Sequence, residues 1–212
     1  MITAIVIDDH PVTHLGCRAL LEEAGFDTIL DARGSEDGYR LSSEHNPEIV
    51  ILDLGLPGVG GLAMIPRLLA KVPDTKILVF SMHDDPVFAA RALEAGAHGY
   101  VTKMAKPEEL IAAIRTIRTH RIYVEHQIAT KLAVLHAGRS ASPLSSLTAR
   151  ELQVLHLIGS GKRHGDIADE LNLSYKTVAN TCSLLKSKLG AKTLSDLVRI
   201  SIENKSTTPS AC

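Results

Sequence analysis

The sequence predicts an α/β domain, a parallel sheet covered by helices on both faces, followed by a linker and a smaller all-helical domain. Three observations point there. Short apolar runs alternate with helix-period segments over the first 125 residues, the pattern turns purely helical from Leu144, and the charge changes sign between the two parts. Strands alternating with helices of this length imply parallel pairing, because each parallel crossover needs a covering element. At 212 residues and 45% hydrophobic content the chain can fill one large core or two modest ones.

The strand candidates are Ile2 to Ile7, Thr28 to Ala32, Ile49 to Leu52, Lys76 to Phe80 and His98 to Val101. Between them, helical spacing runs over Pro11 to Ala24, Glu36 to Glu44, Leu62 to Lys71, Val87 to Ala95 and Pro107 to Thr119. Gly25 follows the first helix, Gly96 follows the fourth and Pro47 precedes the third strand, where such residues stop helices and open turns. The run Ile49-Val50-Ile51-Leu52 suits a strand buried on both faces, and the loop from Leu54 to Gly61 marks its carboxyl end. Open α/β sheets place their chemistry at that edge, so Asp53 is the first candidate for a working residue.

The other strand ends carry polar residues too. Asp8-Asp9-His10 closes the first strand, Ser81 the fourth and Lys103 the fifth. Carboxylates gathered at one edge repel unless neutralised, and Mg²⁺, which takes oxygen ligands in an octahedron, is a natural counter-charge. An Asp-Asp pair before Pro11 also suits helix capping. A hydroxyl and an ammonium at the same edge provide a hydrogen bond and a point charge for a phosphoryl group. His10 and His14 lie four apart at the start of the first helix; without further ligands they read as a capping neighbour and a surface residue.

Residues 121–143 form the expected linker: helical spacing from Ile128 to Leu135, then the small-residue tether Ala137 to Pro143. In residues 144–205, Thr148 caps a helix with Leu152, Leu155 and Ile158 apolar, and Glu151 completes a capping box. A second helix carries Ile167, Ala168 and Leu171. Ser174 caps a third with Val178, Cys182, Leu185 and Leu189, and a fourth runs from Thr193 to Asn204 with Leu194, Leu197, Val198 and Ile202 apolar. The short link Asn172 to Ser174 suits a helix-turn-helix. Residues 206–212 read as a tail. Gly159-Ser160-Gly161-Lys162 is not a phosphate loop, since His156 and Arg163 stand where Gly and Ser or Thr are required.

Charge separates the parts. Residues 1–125 hold 12 Lys/Arg against 18 Asp/Glu, and residues 144–212 hold 9 against 6. An acidic part suits a metal ion and a basic part suits a polyanion. Cys17, Cys182 and Cys212 are too few and scattered for a disulfide framework, no apolar run reaches membrane length, and the N-terminus meets acidic residues too early for a signal peptide. The expectation is a cytoplasmic protein.

Four stretches, Val6-Ile7-Asp8-Asp9-His10, Leu52 to Gly58 with Gly61, Val79-Phe80-Ser81 and Ala95 to Lys103, make residues 1–120 resemble the receiver domain of bacterial two-component response regulators. That resemblance implies a flavodoxin-like fold with five strands in the order 2-1-3-4-5. It implies that a histidine kinase phosphorylates Asp53, that Asp8, Asp9, Asp53 and the carbonyl of Gly55 hold Mg²⁺, that Ser81 and Lys103 contact the phosphoryl oxygens, and that Tyr100 is the switch aromatic. Lys103 is followed by Met104, where many receivers have Pro.

Residues 144–205 resemble the LuxR-type DNA-binding domain of NarL/FixJ regulators through Leu147 to Glu151, Val154-Leu155, Gly161, Asp166-Ile167-Ala168, Leu171, Ser174, Lys176-Thr177-Val178 and Lys188-Leu189-Gly190. The resemblance makes Tyr175 to Leu189 the recognition helix, with Lys176, Ala179, Asn180, Ser183 and Ser187 exposed. Asn180 addresses a base edge; Lys176, Thr177, Lys186 and Lys188 address phosphates. Ala179, Asn180 and Ser183 are neutral where Lys or Arg is common, Thr181 replaces a common His, and Gly165 costs its helix about 1 kcal/mol relative to alanine. Modest affinity follows, with useful binding to double-stranded DNA by a homodimer.

The leading expectation is therefore a non-enzymatic, phosphorylation-controlled transcription regulator. Two alternatives stand beside it: a degenerate regulator that acts through protein partners or without phosphorylation, and an aspartate-nucleophile phosphohydrolase. The second requires another acid beside the nucleophile, where Gly55 stands.

Overall fold

A computed structural model describes residues 2–56, 60–137 and 143–205. The strands β1 (Thr3–Ile7), β2 (Thr28–Ala32), β3 (Ile49–Leu52), β4 (Lys76–Ser81), β5 (Gly99–Thr102) and β6 (Tyr123–Val124) form one parallel sheet in the order β2-β1-β3-β4-β5-β6. The helices α1 (Pro11–Glu23), α2 (Ser35–His45), α3 (Gly61–Lys71), α4 (Pro86–Glu94) and α5 (Pro107–Arg118) connect them. Every residue of β3 is at most 1% exposed, as its unbroken apolar run requires. Alternate residues face opposite ways: Ile49 and Ile51 join Ala4, Val6, Leu78 and Val101 against Cys17 and Leu21 of α1 and Ala113, Ile114 and Ile117 of α5. On the other side a side chain at Gly38 of α2 would begin 2.6 Å from Cδ1 of Ile7, so α2 closes directly onto β1.

The sheet has six strands instead of the five expected, in the expected order with β6 added beyond β5. Tyr123 N donates to His98 O at 3.1 Å, and the Tyr123 hydroxyl bonds the Glu109 carboxylate of α5. A two-residue strand leaves no alternation for a sequence pattern to register, which is why it reads as linker. Helix α6 (His126–Ala137) follows, and the chain divides into two compact units between Thr130 and Lys131. Pro57 and Gly58, most of the tether, the tail 206–212 and Cys212 lie outside the described residues. Among the described residues no helix is long and apolar enough to cross a membrane.

The second unit contains a 3-10 turn (Pro143–Ser146), α7 (Ala149–Gly159), α8 (His164–Glu170), α9 (Tyr175–Leu189) and α10 (Leu194–Lys205). Its core is Leu152, Leu155, Ile158, Ile167, Leu171, Val178, Cys182, Leu185 and Leu197, each at most 3% exposed. Leu194 and Ile202, expected on the same apolar face as Leu197, are instead 42% and 47% exposed. They lie toward the two ends of α10, and the face that packs on α7 centres on Leu197 and Ser201.

Gly61 is fixed by space. A Cβ there would lie 2.2 Å from the carbonyl oxygen of Asp53 and 2.6 Å from Cα of Leu54, both backbone atoms that cannot rotate away. Gly61→Ala therefore pushes α3 off the end of β3. The expected loss is about 1–3 kcal/mol, read as a lower urea midpoint at unchanged slope.

Candidate functional site

The register of β1 and β3 builds the site. Ile7 pairs with Leu52, and Asp53 N donates to Ile7 O at 2.9 Å, so the next residues, Asp8 and Asp53, stand side by side at the carboxyl edge. They are 1% and 4% exposed. Two carboxylates this deeply buried need a cation. Lys103 supplies it: its Nζ lies 2.6 Å from Oδ2 of Asp8 and 2.7 Å from Oδ2 of Asp53. Burial by itself lowers the pKa of the Lys103 ammonium, but Asp53 and then Asp8 outweigh it and hold the pKa above the ordinary value. The backbone N–H of Gly55 donates to the other oxygen of Asp53 at 3.1 Å, which holds the carboxylate plane.

Asp9 and His10 complete a cluster in which Asp8, Asp9, His10 and Asp53 each bring one donor atom within 4.8 Å of the others. Three carboxylates are the hard oxygen donors that Mg²⁺ prefers, and the lysine between two of them marks where positive charge belongs. The residues fit that ion. His10 stands before α1 as expected of a capping neighbour, though its side chain makes no cap; its N–H donates to Oδ1 of Asp8 at 2.8 Å. His14, expected on the surface, is only 6% exposed. Its Nε2 lies 2.7 Å from the carbonyl oxygen of Asp8, and its Nδ1 is 3.3 Å from Asp31, close enough for an ion pair but not aligned for a hydrogen bond. The spacing that reads His14 as a surface residue instead rotates it beneath the helix, where it braces the main chain of the acidic pair.

Ser81, 1% exposed, ends β4 beside the same edge: it pairs with Thr102, and Lys103 N donates to Ser81 O at 2.9 Å. Its hydroxyl accepts a long bond, 3.4 Å, from the N–H of His83. Tyr100 is fully buried, and its hydroxyl donates to the carbonyl oxygen of His83 at 2.8 Å. Burial, with the Asp53 charge next, pushes the Tyr100 phenol well above its ordinary pKa, so it stays a donor. The His83 ring stacks on Phe88 of α4, centroids 4.1 Å apart. Tyr100 thus reaches the segment after Ser81 and, through it, α4. The sequence places His83 only as a neighbour of the acid site and does not single out Phe88, because neither belongs to a pattern of spacing.

In the second unit α8, the turn through Asn172 (φ 51°) and α9 form the helix-turn-helix. The capping box at α7 forms as the sequence implies: Glu151 N donates to Oγ1 of Thr148 at 3.3 Å and Thr148 N to Oε2 of Glu151 at 2.7 Å. Arg163 offers no acceptor before α8, and Asp166 serves instead, accepting from Arg163 N at 3.2 Å. Ser174 accepts from Thr177 N at 3.1 Å to open α9. Lys176, Thr177, Asn180, Ser183 and Ser187 are exposed on one side of α9, while Ala179 and Lys186 are half-buried. Tyr175 and Leu184, at 62% and 55% exposure, add apolar surface that residue spacing did not single out.

Lys188, expected to address a phosphate, also has a partner within its own unit. Its Nζ lies 2.8 Å from the Glu151 carboxylate and 3.4 Å from the carbonyl oxygen of Ser146, so it fastens α9 to the start of α7. Burial pushes the Glu151 carboxyl up, but Lys188 and the bonds to Thr148 outweigh it and hold the pKa below its ordinary 4.5. The stability from this pairing is present above pH 4.5 and lost as pH falls through the depressed value. Lys188→Ala should flatten the acid limb of the helical unit's unfolding profile; an unchanged limb would show the pair to be inert.

Comparison with known proteins agrees with both halves. A parallel sheet with a carboxylate pair and lysine at one edge, joined to a helix-turn-helix unit, defines a two-part regulator. Residues 4–115 match the family model of the response regulator receiver domain, and residues 145–201 match that of the bacterial regulatory proteins of the luxR family. The chain is 37% identical over 196 residues to the methanol utilization control regulatory protein MoxX of Paracoccus denitrificans, covering 92% of this chain and 88% of that one. It is 31% identical over 207 residues to the response regulator UvrY of Escherichia coli strain K12, covering 96% and 95%. A crystal structure of a LuxR-family two-component response regulator from Aurantimonas superposes with a TM-score of 0.61 at 38% identity, over 64% of this chain and 97% of that one. The chain belongs to the two-component response regulators of NarL/FixJ type, DNA-binding transcription regulators built from a receiver domain and a LuxR-type helix-turn-helix domain.

Proposed function

We propose that Asp53 accepts a phosphoryl group from a histidine kinase and that the resulting charge alters dimerisation and DNA binding by the second unit. The observation that carries this is the pair of ion contacts from Lys103 to Asp8 and Asp53 at 2.6 and 2.7 Å, which leaves a buried carboxylate oriented at a strand end. A carboxylate oxygen of Asp53 attacks phosphorus, the phosphorus–nitrogen bond to the donor imidazole breaks, and the imidazole leaves with a proton from solvent. Asp8, Asp9, Asp53 and the carbonyl of Gly55 would hold Mg²⁺, which would neutralise charge on the phosphoryl group. Lys103 and the hydroxyl of Ser81 bind phosphoryl oxygens, and Tyr100 follows Ser81.

On DNA, Asn180 addresses a base edge, with Ala179 and Ser183 beside it, and Lys176, Thr177 and Lys186 address phosphates. Lys188 is already paired with Glu151 and contributes less to the phosphate term. A homodimer on two half-sites provides useful affinity, and the chain acts in the cytoplasm. Gly55, where a phosphohydrolase would carry its second acid, supports a switch over a catalyst.

Incubation with Mg²⁺ and acetyl phosphate should add one phosphate to the chain, read by intact mass. Rapid multiple turnover of small phosphate esters would favour the hydrolase reading instead.

A further inference from the structure

Glu125 stands immediately before α6, yet its side chain does not serve that helix. It is 7% exposed, and its Oε2 accepts from both the N–H and the hydroxyl of Thr102, each at 2.8 Å. Its backbone N–H donates to the carbonyl oxygen of Tyr100 at 3.0 Å, and its own carbonyl accepts the first α6 hydrogen bond, from Ala129 N at 2.9 Å. One residue therefore binds the main chain of Tyr100 and of Thr102, and the next residue along is Lys103. An acidic residue at a helix start ordinarily turns its carboxylate onto its own N–H groups. Here the carboxylate is committed across 23 residues to the end of β5.

The energetics make this a firm link. A buried carboxylate that loses its donors carries the full desolvation cost, so Thr102 cannot shift while Glu125 stays behind. Thr102 in turn pairs with Ser81, and Lys103 N bonds Ser81 O, so the end of β5 is tied on one side to the site and on the other to α6. Tyr123, bonded through its hydroxyl to Glu109 of α5, holds the same segment one step earlier. α6 is the helix through which the chain passes from the first compact unit to the second.

We infer that Glu125 is a positioning residue that couples the phosphoacceptor site to α6: displacement at Tyr100 to Lys103 is carried through the Thr102–Glu125 pair into that helix. The inference rests on Asp53 being the phosphoacceptor and goes beyond it. Coupling of this kind is a difference in free energy between two arrangements, and it runs both ways.

Amide hydrogen exchange on the full chain, with and without beryllofluoride and Mg²⁺, tests it. In the wild-type chain, loading should change exchange both at residues 53–56 and in α6. Glu125→Ala should keep the response at residues 53–56 and reduce the α6 response by about five-fold or more. Glu125→Gln, which keeps an oxygen acceptor for Thr102, should restore most of it, and Thr102→Val, which keeps only the N–H donor, should fall between. If Glu125→Ala fails to fold, Thr102→Val decides, and a wild-type α6 response in that variant overturns the coupling. An α6 response in Glu125→Ala equal to wild type overturns it too, as does a wild-type chain that responds at residues 53–56 but not in α6. No response at residues 53–56 in the wild-type chain would instead overturn the phosphoacceptor reading.

Discussion

Asp53→Asn abolishes phosphate incorporation from acetyl phosphate while leaving the fold in place. The wild-type carboxylate accepts from the Gly55 N–H on one oxygen and from Lys103 on the other, and the amide keeps a single acceptor oxygen, so one of the two hydrogen bonds survives and the other is lost. Lys103 retains its full ion pair with Asp8, and the repulsion between two buried carboxylates disappears. Stability should fall by no more than about 2 kcal/mol, because the lost hydrogen bond and ion pair are opposed by relief of like charge. Chemistry is another matter, since an amide oxygen is no acyl-phosphate nucleophile. Intact mass after incubation reads both halves of the claim: a folded variant with no added phosphate supports the assignment, and a variant that gains the phosphate sinks it.

Lys103→Ala has the largest expected effect on stability. It leaves Asp8 and Asp53, 1% and 4% exposed, without the cation that joins them, and removing one partner of a buried ion pair costs about 3–5 kcal/mol. The loss should be conditional. Mg²⁺ placed among the same carboxylates replaces the missing charge, so the variant should gain more melting temperature from added Mg²⁺ than the wild type does. The wild-type contribution also has a defined pH window. Because the folded-state pKa of Lys103 is raised, its stabilisation is full below its ordinary 10.5 and lost as pH rises through the elevated value. Lys103→Ala should lack that alkaline loss. Equal Mg²⁺ responses in the two proteins would contradict the placement of the ion at this cluster.

The acid site was legible because its parts sit at strand ends, and strand ends are what hydrophobic runs mark. Asp8, Asp53 and Ser81 each follow an apolar run directly and Lys103 follows one after Thr102, so reading the runs located them, and the Ile7–Leu52 register then brings the first two together. What the runs do not encode stayed hidden. β6 is two residues long, too short to show alternation. His14 sits at helical spacing from His10, but which face of α1 turns inward depends on packing against β1 and β2. Gly61 was noted as part of a motif, while its reason, the Asp53 carbonyl in the way of any Cβ, exists only in three dimensions.

Charges show the same division. Lys176 and Lys188 look alike in a sequence, both basic and both on the recognition helix. Both are exposed, and only the folded unit shows that Lys188 is held 2.8 Å from Glu151. Glu125 is the clearest case: in sequence it is one acid among 18 in the first 125 residues, and its role depends on where β5 ends and α6 begins.

The central claim is that a charge made at Asp53 is read out at α9. Its most direct test is the affinity of the full chain for an operator recovered by selection from genomic DNA, measured at fixed salt before and after acetyl phosphate, with Asp53→Asn alongside. Phosphorylated protein should bind tighter by about tenfold or more, within the usual range of coupling between sites, and Asp53→Asn should show no change. Equal affinity of the phosphorylated and unphosphorylated chains would contradict the account.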